Sequence, residues 1–320
     1  MERKAGKNVK AGFPRFKSRD RYDSLTYPQD NGAFSIEKNR LRVSRIGTMR
    51  MELHRPIEGK VKTLTIKREA GKYYAIFTTI KEIEPPKIKD TNPVGIDVGL
   101  ETFAALSDGK KMGKPDFGKK TSKHIARWQR IMQRRKRGGK NRQKAKGRLN
   151  REYQAADSRT NDYLHKLTNT LVDSGYTSFA MERLSITNML QNHRLARSIQ
   201  GASWGRFKDM LSYKAESAGM RVTLVDARNT SRTCSGCGSL KDMPLSERVF
   251  RCGICGYQND RDVNASINIL KRAREGHSRS NASGDMTTTI QKGSQVVSMN
   301  QEHTLHVVST KPSAEEAHTL

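Results

Sequence analysis

The sequence is poor in aromatic residues and in long hydrophobic runs. Phe, Trp and Tyr make up 6% of its 320 residues, and no run of 18 apolar residues occurs, so a membrane-spanning helix is excluded. The first residues, Met1-Glu-Arg-Lys-Ala-Gly-Lys7, contain no apolar signal segment, and we therefore expect the chain in a reducing cytosol. The motifs GxxxxGK[ST], GxSxG and HExxH are absent, so nothing indicates a P-loop nucleotidase, an α/β-hydrolase or a zinc protease.

Acidic residues are also scarce. The chain has 61 Lys and Arg against 32 Asp and Glu, a formal net charge of +29. Such a charge repels itself unless a polyanion neutralises it, which makes nucleic acid the expected partner. A membrane surface is the competing partner, but the basic segments lack the continuous Leu/Phe face of a helix that lies on a membrane.

The positive charge is concentrated in one segment. Residues 110–151 contain 18 Lys and Arg and a single acid, Asp116, and apolar residues recur at helical spacing from Ile125 to Met132, before a Gly138-Gly139 break. We predict a basic helical hairpin whose apolar stripe docks on the protein while its basic residues contact the phosphates of DNA or RNA. A solvated charged helix is the alternative, although such a helix normally carries both signs. The side chains expected to contact nucleic acid are Arg127, Arg130, Arg134, Arg135, Lys136, Arg137, Lys140 and Arg142.

All four cysteines fall into two CxxC pairs, Cys234-Ser-Gly-Cys237 and Cys252-Gly-Ile-Cys255. Two such pairs supply the tetrahedron of thiolates that structural zinc prefers. Two disulfides in a secreted chain are the alternative, and the expected reducing compartment argues against them. We therefore predict one structural Zn²⁺ bound by all four cysteines, with no open coordination position for catalysis.

Three acidic residues lie far apart in the sequence, each in or beside a predicted strand or helix. Asp97 lies within the apolar strand Val94–Gly99, and Glu182 ends a short apolar strand that begins at Ser178. A carboxylate in a buried strand needs a partner, so we predict that Asp97 faces a metal ion. Capping of the turn at Gly99 is the alternative. The signal at Glu182 is weak when it is taken alone.

The third acid, Asp262, stands at the start of a predicted helix that extends to Leu270. An N-cap role is the alternative for it and for Asp260, and because acids two positions apart point to different sides of a helix, at most one joins a metal site. Three converging carboxylates would suit two Mg²⁺ ions that activate water and stabilise the leaving oxygen in phosphodiester hydrolysis. Two strands and a helix that carry such acids suit an RNase H-like α/β domain.

Composition divides the chain into segments. Short apolar runs on either side of Glu69-Ala-Gly-Lys72 predict β-hairpins, and prolines between residues 85 and 93 indicate a linker. From Gly276 onward there is no Phe, Tyr or Trp and there are 13 Ser or Thr, which is typical of disorder. We predict a β-rich nucleic-acid-binding domain at 1–84, a linker at 85–93, an α/β domain at 94–225 that includes a basic helical hairpin at 110–151, a zinc ribbon at 226–258, a final helix of the α/β domain at 259–275 and a disordered tail at 276–320.

Four segments occur in the order that is found in one known family: Gly95–Gly99, Met181–Ser185, Thr233–Gly238 and Asp260–Ala265. They resemble the TnpB family, the OrfB proteins of insertion sequences, which are relatives of the type V CRISPR effector nucleases. Gly12–Lys17 and His54–Lys60 are similar to the amino-terminal part of the same family. The resemblance covers most of residues 8 to about 275.

The resemblance implies a RuvC-like nuclease that uses a guide RNA from its transposon locus to find a double-stranded DNA target beside a short flanking motif. By this analogy Asp97, Glu182 and Asp262 bind two catalytic Mg²⁺ ions. The basic hairpin and the β-rich domain, which would be part of a wedge domain, would hold nucleic acid. The protein would act in the prokaryotic cytosol, associated with the nucleoid and without a membrane partner.

Members of the family usually have further sequence before the segment similar to Gly12–Lys17, so we expect part of the wedge barrel and of the helical recognition lobe to be missing. One alternative is therefore a truncated or repurposed relative that binds RNA or DNA but cuts poorly. Retention of all three acids weighs against a nuclease-dead form. Another alternative is a transposase that joins strands itself, which the resemblance disfavours because strand transfer in these elements is assigned to a separate tyrosine-dependent partner.

Overall fold

A computed structural model of the chain describes residues 22–28, 32–53, 56–83, 90–113, 118–244, 247–280 and 295–306. The chain divides into two compact units, and it passes from the first to the second between Glu82 and Ile83 and returns between Gln295 and Val296. Each unit contains its own sheet. The segment Gly12–Lys17 and most of the predicted linker lie outside the described residues.

The described strands and helices are numbered in chain order. No helix in the described ranges is both long enough and apolar enough to cross a membrane. The elements are β1 (Ser24–Tyr27), β2 (Phe34–Glu37), β3 (Arg40–Val43), β4 (Gly47–Glu52), β5 (Lys60–Glu69), β6 (Lys72–Ile83), β7 (Pro93–Val98), β8 (Thr102–Leu106), β9 (Lys111–Gly113), α1 (Gly118–Arg134), α2 (Lys140–Asp173), β10 (Ser178–Glu182), α3 (Ile186–Met189), α4 (Ala196–Ala202), α5 (Trp204–Ser217), β11 (Arg221–Val225), β12 (Val249–Arg251), β13 (Gln258–Asp260), α6 (Arg261–Ser280) and β14 (Gln295–His306).

A seven-stranded sheet forms the first unit, in the order β1-β5-β6-β14-β4-β3-β2. Alternate residues face a common core: Leu41 and Val43 on β3 are buried, and the residues that precede each of them are exposed. This period of two is that of a sheet with one covered face. The hairpin predicted at Glu69–Lys72 is present, since these two residues pair at the end of β5 and the start of β6.

The predicted disorder of the tail is wrong for part of that segment. Helix α6 continues to Ser280, beyond its predicted end, and β14 pairs antiparallel with β4, with Thr304 opposite Glu52. The prediction was based on the absence of aromatic residues and on the Ser and Thr content, and both are compatible with a polar strand. β-branched residues such as Val296-Val297 favour extended backbone. The rest of the predicted tail lies outside the described residues.

The larger sheet of the second unit is a five-stranded mixed sheet, in the order β11-β10-β7-β8-β9, and β12 and β13 form a separate two-stranded sheet. The first three strands in sequence, β7, β8 and β9, form an antiparallel meander, whereas β10 runs parallel to β7 and β11 runs parallel to β10. Helices connect the parallel strands, as such crossovers require. The α/β class predicted for this part of the chain is confirmed.

The two faces of this sheet are covered by different helices. Phe179 on β10 belongs to a large cluster that includes Leu171 of α2 and Phe207 of α5, whereas its neighbour Ala180 packs with Ile269 of α6. Because successive strand residues point to opposite faces, α2 and α5 cover one face and α6 covers the other. The face beneath α6 therefore receives the side chains that alternate with the large core residues.

The basic segment forms two helices, but their boundaries differ from the prediction. Strand β9 occupies the start of the predicted hairpin, and α2 continues far beyond residue 151, to Asp173. The break between the helices lies at Gly138-Gly139 as predicted, and Gly138 has φ +80°, which glycine adopts at little cost. Leu164 and Leu171 hold the second half of α2 on the sheet, a role that the charge pattern of its first half does not indicate.

Candidate active site

The sulfur atoms of the four cysteines form a compact cluster. The Sγ atoms of Cys234 and Cys255 are 3.7 Å apart, those of Cys237 and Cys252 are 3.6 Å apart, and all four lie within 4.8 Å of one another. The cysteines are not bonded in disulfides, which would need a separation of about 2.05 Å. Four thiolates at about 2.3 Å from a central Zn²⁺ lie about 3.8 Å from one another. The spacing therefore fits a tetrahedral metal site.

The segment that carries the cysteines has a very small hydrophobic core. Phe250 on β12 is fully buried and packs with Met243 and Cys252, and β12 pairs only with β13 among the described strands. A two-stranded sheet with so few buried residues is marginal in water by itself, so a metal ion bound by the four cysteines could add to its stability. The backbone N–H of Cys255, followed by the hydroxyl of Ser239, lowers the pKa of the Cys252 thiol to about 5, whereas the pKa of the Cys255 thiol is raised to about 12.

Two of the predicted carboxylates come from neighbouring parallel strands. Asp97 lies on β7, and Glu182 is the last residue of β10. Ile96 pairs with Met181 across these strands, so Asp97 and Glu182, the next residue on each strand, are also neighbours. Ile96 and Met181 belong to the core under α2 and α5. By the alternation of a strand, both carboxylates therefore lie on the face that α6 covers.

Gly95 allows α6 to approach this face closely. A Cβ atom at Gly95 would lie 2.0 Å from the backbone oxygen of Ser266 and 3.0 Å from the Cβ of Leu270, so only glycine fits. Ser266 comes four residues, about one turn, after Asp262 on α6, and Gly95 comes two residues before Asp97 on the same face of β7. The contact at Gly95 therefore sets how closely the helix carboxylate approaches those of the strands.

We expect Gly95→Ala to lower the free energy of unfolding by about 1–3 kcal/mol, because the backbone of α6 must move to admit the methyl group. Gly147→Ala is the matched control: Gly147 lies in α2, where an added Cβ meets no atom within 4 Å. This change should raise stability by about 0.5–1 kcal/mol through helix propensity. Urea denaturation of the two variants measures the difference, and wild-type stability of Gly95→Ala would contradict the close contact.

Asp260 and Asp262 have different roles. Oδ1 of Asp260 accepts hydrogen bonds from the backbone N–H groups of Asp262 at 3.0 Å and Val263 at 3.3 Å, and its Oδ2 lies 2.6 Å from Nζ of Lys111. The two hydrogen bonds from backbone N–H groups satisfy donors in the first turn of α6, as an N-cap side chain does. Asp260 therefore takes the capping role, and Asp262 remains the candidate metal ligand of the helix.

The three carboxylates repel one another and are partly shielded from water. The pKa of Asp97 lies well above its ordinary value, first because of burial and then because of the charges of Glu182 and Asp262. Burial also raises the pKa of Glu182, against a hydrogen bond from the hydroxyl of Thr230. Burial and the neighbouring Asp260 raise the pKa of Asp262. A divalent cation relieves such an accumulation of negative charge, and carboxylate oxygens are the ligands that Mg²⁺ prefers.

The structure places most of the predicted nucleic-acid-binding residues on the exposed surface of the hairpin. Arg142 differs, because it is half-buried and its Nη1 donates hydrogen bonds to the backbone oxygens of Met132 at 2.7 Å and Arg135 at 3.1 Å. It thus binds the last carbonyl groups of α1, which favours a structural role. The exposed residues are Arg127, Arg130, Arg134, Arg135, Lys136, Arg137 and Lys140.

A groove between α1 and α2 includes basic residues that the sequence analysis missed. The guanidinium carbon of Arg148 lies 5.5 Å from the centre of the Trp128 ring, a cation–π contact. Lys140, Lys144 and Arg148 recur every four residues, and this spacing on one helical face could have identified them. The groove has a volume of about 230 Å³ and is lined by Trp128, Ile131, Arg135, Asn141, Lys144, Ala145 and Arg148.

Comparison with known proteins identifies the relatives of the chain. Residues 75–193 match the family model OrfB_IS605, described as "Probable transposase", and residues 204–269 match the model described as "Cas12f1-like, TNB domain". InsQ of Escherichia coli strain K12, named for a proposed RNA-guided DNA endonuclease activity, is 33% identical over 277 residues, which are 82% of this chain and 68% of InsQ. The chain belongs to the TnpB/OrfB family.

The two matched regions of this TnpB/OrfB chain contain the candidate carboxylates and all four cysteines. A Streptomyces pristinaespiralis protein, also named for a proposed RNA-guided DNA endonuclease activity, is 31% identical over 266 residues, which are 81% of this chain and 65% of that protein. The chain thus spans about two thirds of the length of both relatives. Among solved structures, the cryo-EM complex of Cas12f1 with sgRNA and target DNA is 17% identical, and the match covers 82% of this chain and 73% of that chain with a TM-score of 0.44.

Proposed function

We propose that this TnpB/OrfB chain is an RNA-guided DNA endonuclease with a RuvC-like active site. The observation that carries the proposal is the position of Asp97 and Glu182 on adjacent parallel strands, on the face covered by the helix that begins beside Asp262. The sheet order β9-β8-β7-β10-β11, in which β8 runs against the other four strands, supports an RNase H-like domain. RuvC-like nucleases share this arrangement.

The three carboxylates would bind two catalytic Mg²⁺ ions. Within the described residues, the four cysteines form the one group of three or more His, Cys, Asp or Glu side chains whose ligand atoms already lie close enough to hold a metal ion. The carboxylate site is supported instead by the strand and helix positions of Asp97, Glu182 and Asp262. Two ions held by these residues would activate the attacking water and stabilise the leaving oxygen of a phosphodiester. The chain itself supplies the rigid placement: Asp97 and Glu182 lie on paired strands, and the Gly95 contact fixes the helix of Asp262.

The four-cysteine site would hold one Zn²⁺ with a structural role. The sulfur spacing fits a tetrahedron, and four thiolates fill the coordination sphere. No position is then left for water or substrate. The ribbon would therefore contribute shape rather than chemistry to the reaction.

The proposed partners are a guide RNA encoded at the transposon locus and a double-stranded DNA target. Both similar proteins, InsQ and the Streptomyces protein, are named for RNA-guided DNA cleavage. In such systems base pairing reads most of the target sequence, while the protein recognises duplex shape and a short flanking motif. The net charge of +29 and the exposed basic residues of α1 and of the start of α2 support this proposal, because they would supply the phosphate contacts.

We expect simultaneous replacement of Arg134, Arg135 and Arg137 by glutamine to weaken nucleic-acid binding and to reduce the slope of log affinity against log salt concentration by up to about 2–3 for duplex DNA, since each phosphate contact contributes about 0.9. The three side chains are exposed at the end of the hairpin, so the fold should not change. A control triple variant, Lys166, Arg221 and Arg228 to glutamine, removes the same charge from exposed positions away from the end of the hairpin. Titrations at several salt concentrations measure both slopes, and an unchanged slope in the hairpin variant would remove these residues from the interface.

A plasmid-library cleavage assay tests the proposed function. The full chain is co-expressed with RNA transcribed from its own locus, purified, and incubated with the library in Mg²⁺ or in EDTA. Cuts that depend on the guide and disappear in EDTA are the expected result. Co-purified RNA without cutting would support an RNA-binding relative instead, and joined rather than cut products would support a strand-transferring transposase.

A further inference from the structure

We infer that Thr230 is a positioning residue for Glu182 and that it links the orientation of this carboxylate to the zinc ribbon. The inference rests on the proposed function, because it takes Glu182 as a ligand of the catalytic cations. Thr230 is 4% exposed, and its hydroxyl donates a hydrogen bond to Oε1 of Glu182. A hydroxyl has one proton to donate, and the carboxylate lies closer than the other acceptor, the backbone oxygen of Ala227 at 3.3 Å.

Two buried asparagines of α6 fix the backbone around Thr230. Asn268 is 5% exposed, and its Nδ2 donates to the backbone oxygens of Thr230 at 2.9 Å and Thr233 at 2.7 Å. Asn264 is fully buried; its Nδ2 donates to the oxygen of Thr233 at 2.8 Å, and its Oδ1 accepts from the N–H of Ser235 at 2.9 Å. Because a buried amide without partners is unfavourable, these bonds hold the backbone in one position relative to α6.

The same backbone segment contains the first cysteine of the zinc site. Thr233 and Ser235, which the asparagines hold, are the immediate neighbours of Cys234. Lys271 of α6 also donates to the backbone oxygen of Ser235. Zinc at Cys234 would therefore fix one end of residues 230–234, and Thr230, at the other end, orients Glu182.

Orientation matters because a glutamate side chain is flexible and its carboxylate must face the cations. The carboxylate has about four lone-pair sites, so the bond from Thr230 to Oε1 leaves acceptor positions for metal. Removal of a hydrogen-bond partner that orients a metal ligand typically weakens metal affinity by about 10–100-fold. Loss of zinc should also weaken the binding of cations by the carboxylates, since it releases the segment that carries Thr230.

The test measures Mn²⁺ binding to the zinc-loaded full chain without nucleic acid, with Mn²⁺ as a spectroscopic substitute for Mg²⁺. Thr230→Val keeps the shape of the side chain and removes the hydroxyl, and we expect about 10–100-fold weaker Mn²⁺ binding by electron paramagnetic resonance titration. Thr230→Ser should restore the affinity. Thr233→Val is the matched control, because its hydroxyl donates to the backbone oxygen of Asn229 at 2.7 Å in the same segment and not to Glu182.

The link to the ribbon is tested by combining the variant with zinc removal. Zinc-free wild type should bind Mn²⁺ more weakly than the zinc-loaded chain. Thr230→Val should add little to that loss of affinity, because zinc removal and the substitution both act through the hydrogen bond from Thr230 to Glu182. Equal Mn²⁺ affinity with and without zinc would overturn the link. Wild-type affinity of Thr230→Val would overturn the positioning role. Circular dichroism checks folding, and Thr230→Ala is judged by the same criterion if Thr230→Val does not fold.

Asp97→Ala distinguishes a failure of this inference from a failure of the proposed function. If Asp97→Ala binds Mn²⁺ like the wild type, the carboxylate cluster is not the cation site, and both ideas fail. If Asp97→Ala loses Mn²⁺ binding while Thr230→Val retains it, the proposed site stands and the positioning role alone is refuted.

Discussion

Replacement of Asp97 by alanine is expected to reduce Mg²⁺-dependent DNA cleavage by about 10³-fold or more and to leave RNA affinity nearly unchanged. Metal ions in such sites supply several kcal/mol of transition-state stabilisation, and each 1.36 kcal/mol corresponds to a factor of ten in rate. Asp97 lies on β7 next to Glu182 and on the face that α6 covers, and its pKa is raised by burial and by both other acids of the cluster. Rates of guide-dependent cleavage measure the effect, and filter binding of RNA measures the affinity.

Two comparisons separate a specific role of Asp97 from a general loss of charge or of folding. Asp209→Ala removes a carboxylate from the exposed surface of α5 and should cleave like the wild type. Without metal, Asp97→Ala should unfold at the same or a higher temperature than the wild type, because one of three mutually repelling carboxylates is gone. Mg²⁺ should raise the melting temperature of the wild type only. Cleavage by Asp97→Ala at the wild-type rate would exclude Asp97 from the site.

The sequence was sufficient to locate Asp97 and the four cysteines as candidate ligands, because each lies in a local pattern that its chemistry requires. An acid inside an apolar strand, as at Asp97, is unfavourable unless it has a partner, and two CxxC pairs have few purposes other than metal binding. Strand pairing then brings Glu182 beside Asp97, although nothing local to Glu182 distinguishes it from a residue at the end of an ordinary strand. Its identification depended on the family resemblance.

The partners that position these ligands could not be found in the same way. Thr230 lies in a loop, and its bond to Glu182 joins residues 48 positions apart. Asn264 and Asn268 do leave a trace in the sequence, since two asparagines four residues apart interrupt the apolar face of α6 and are poor helix formers. The pattern indicates buried polar side chains in α6 but does not identify the residues with which they form hydrogen bonds. Strand β14 was missed for a related reason, because its partner β4 lies about 250 residues earlier in the chain.

Helix α6 connects the carboxylate cluster and the cysteine cluster. Its first turn carries Asp262, its asparagines hold the residues on either side of Cys234, and its backbone touches the sheet at Gly95. A shift of this helix would therefore change the carboxylate cluster and the cysteine cluster together. We therefore expect that a substitution in one cluster also changes the positions of the side chains in the other cluster.

Replacement of Cys252 by serine is the second change with a large expected effect. It should reduce bound zinc from one equivalent to less than a tenth and unfold the ribbon locally, because zinc binding in small four-ligand sites is worth about 10–16 kcal/mol and is folding free energy. The ribbon cannot compensate, since its buried hydrophobic residues other than cysteine are Phe250 and Met243. Elemental analysis of the purified full chain measures zinc, and hydrogen exchange at β12 and β13 reports the unfolding.

Ser235→Ala is the control for this experiment, because it alters a buried side chain between the first two cysteines and removes no sulfur. It should retain zinc and the protection of β12 and β13. Zinc content at the wild-type level in Cys252→Ser would refute the four-thiolate site. Full zinc loss with unchanged exchange would show instead that the ribbon is stable without metal. If zinc is lost and protection also falls in the first turns of α6, then the bonds from Asn264 and Asn268 to residues 230–235 transmit the disturbance. Cys252→Ser should then also cleave more slowly, through displacement of the carboxylates rather than through any chemistry of zinc.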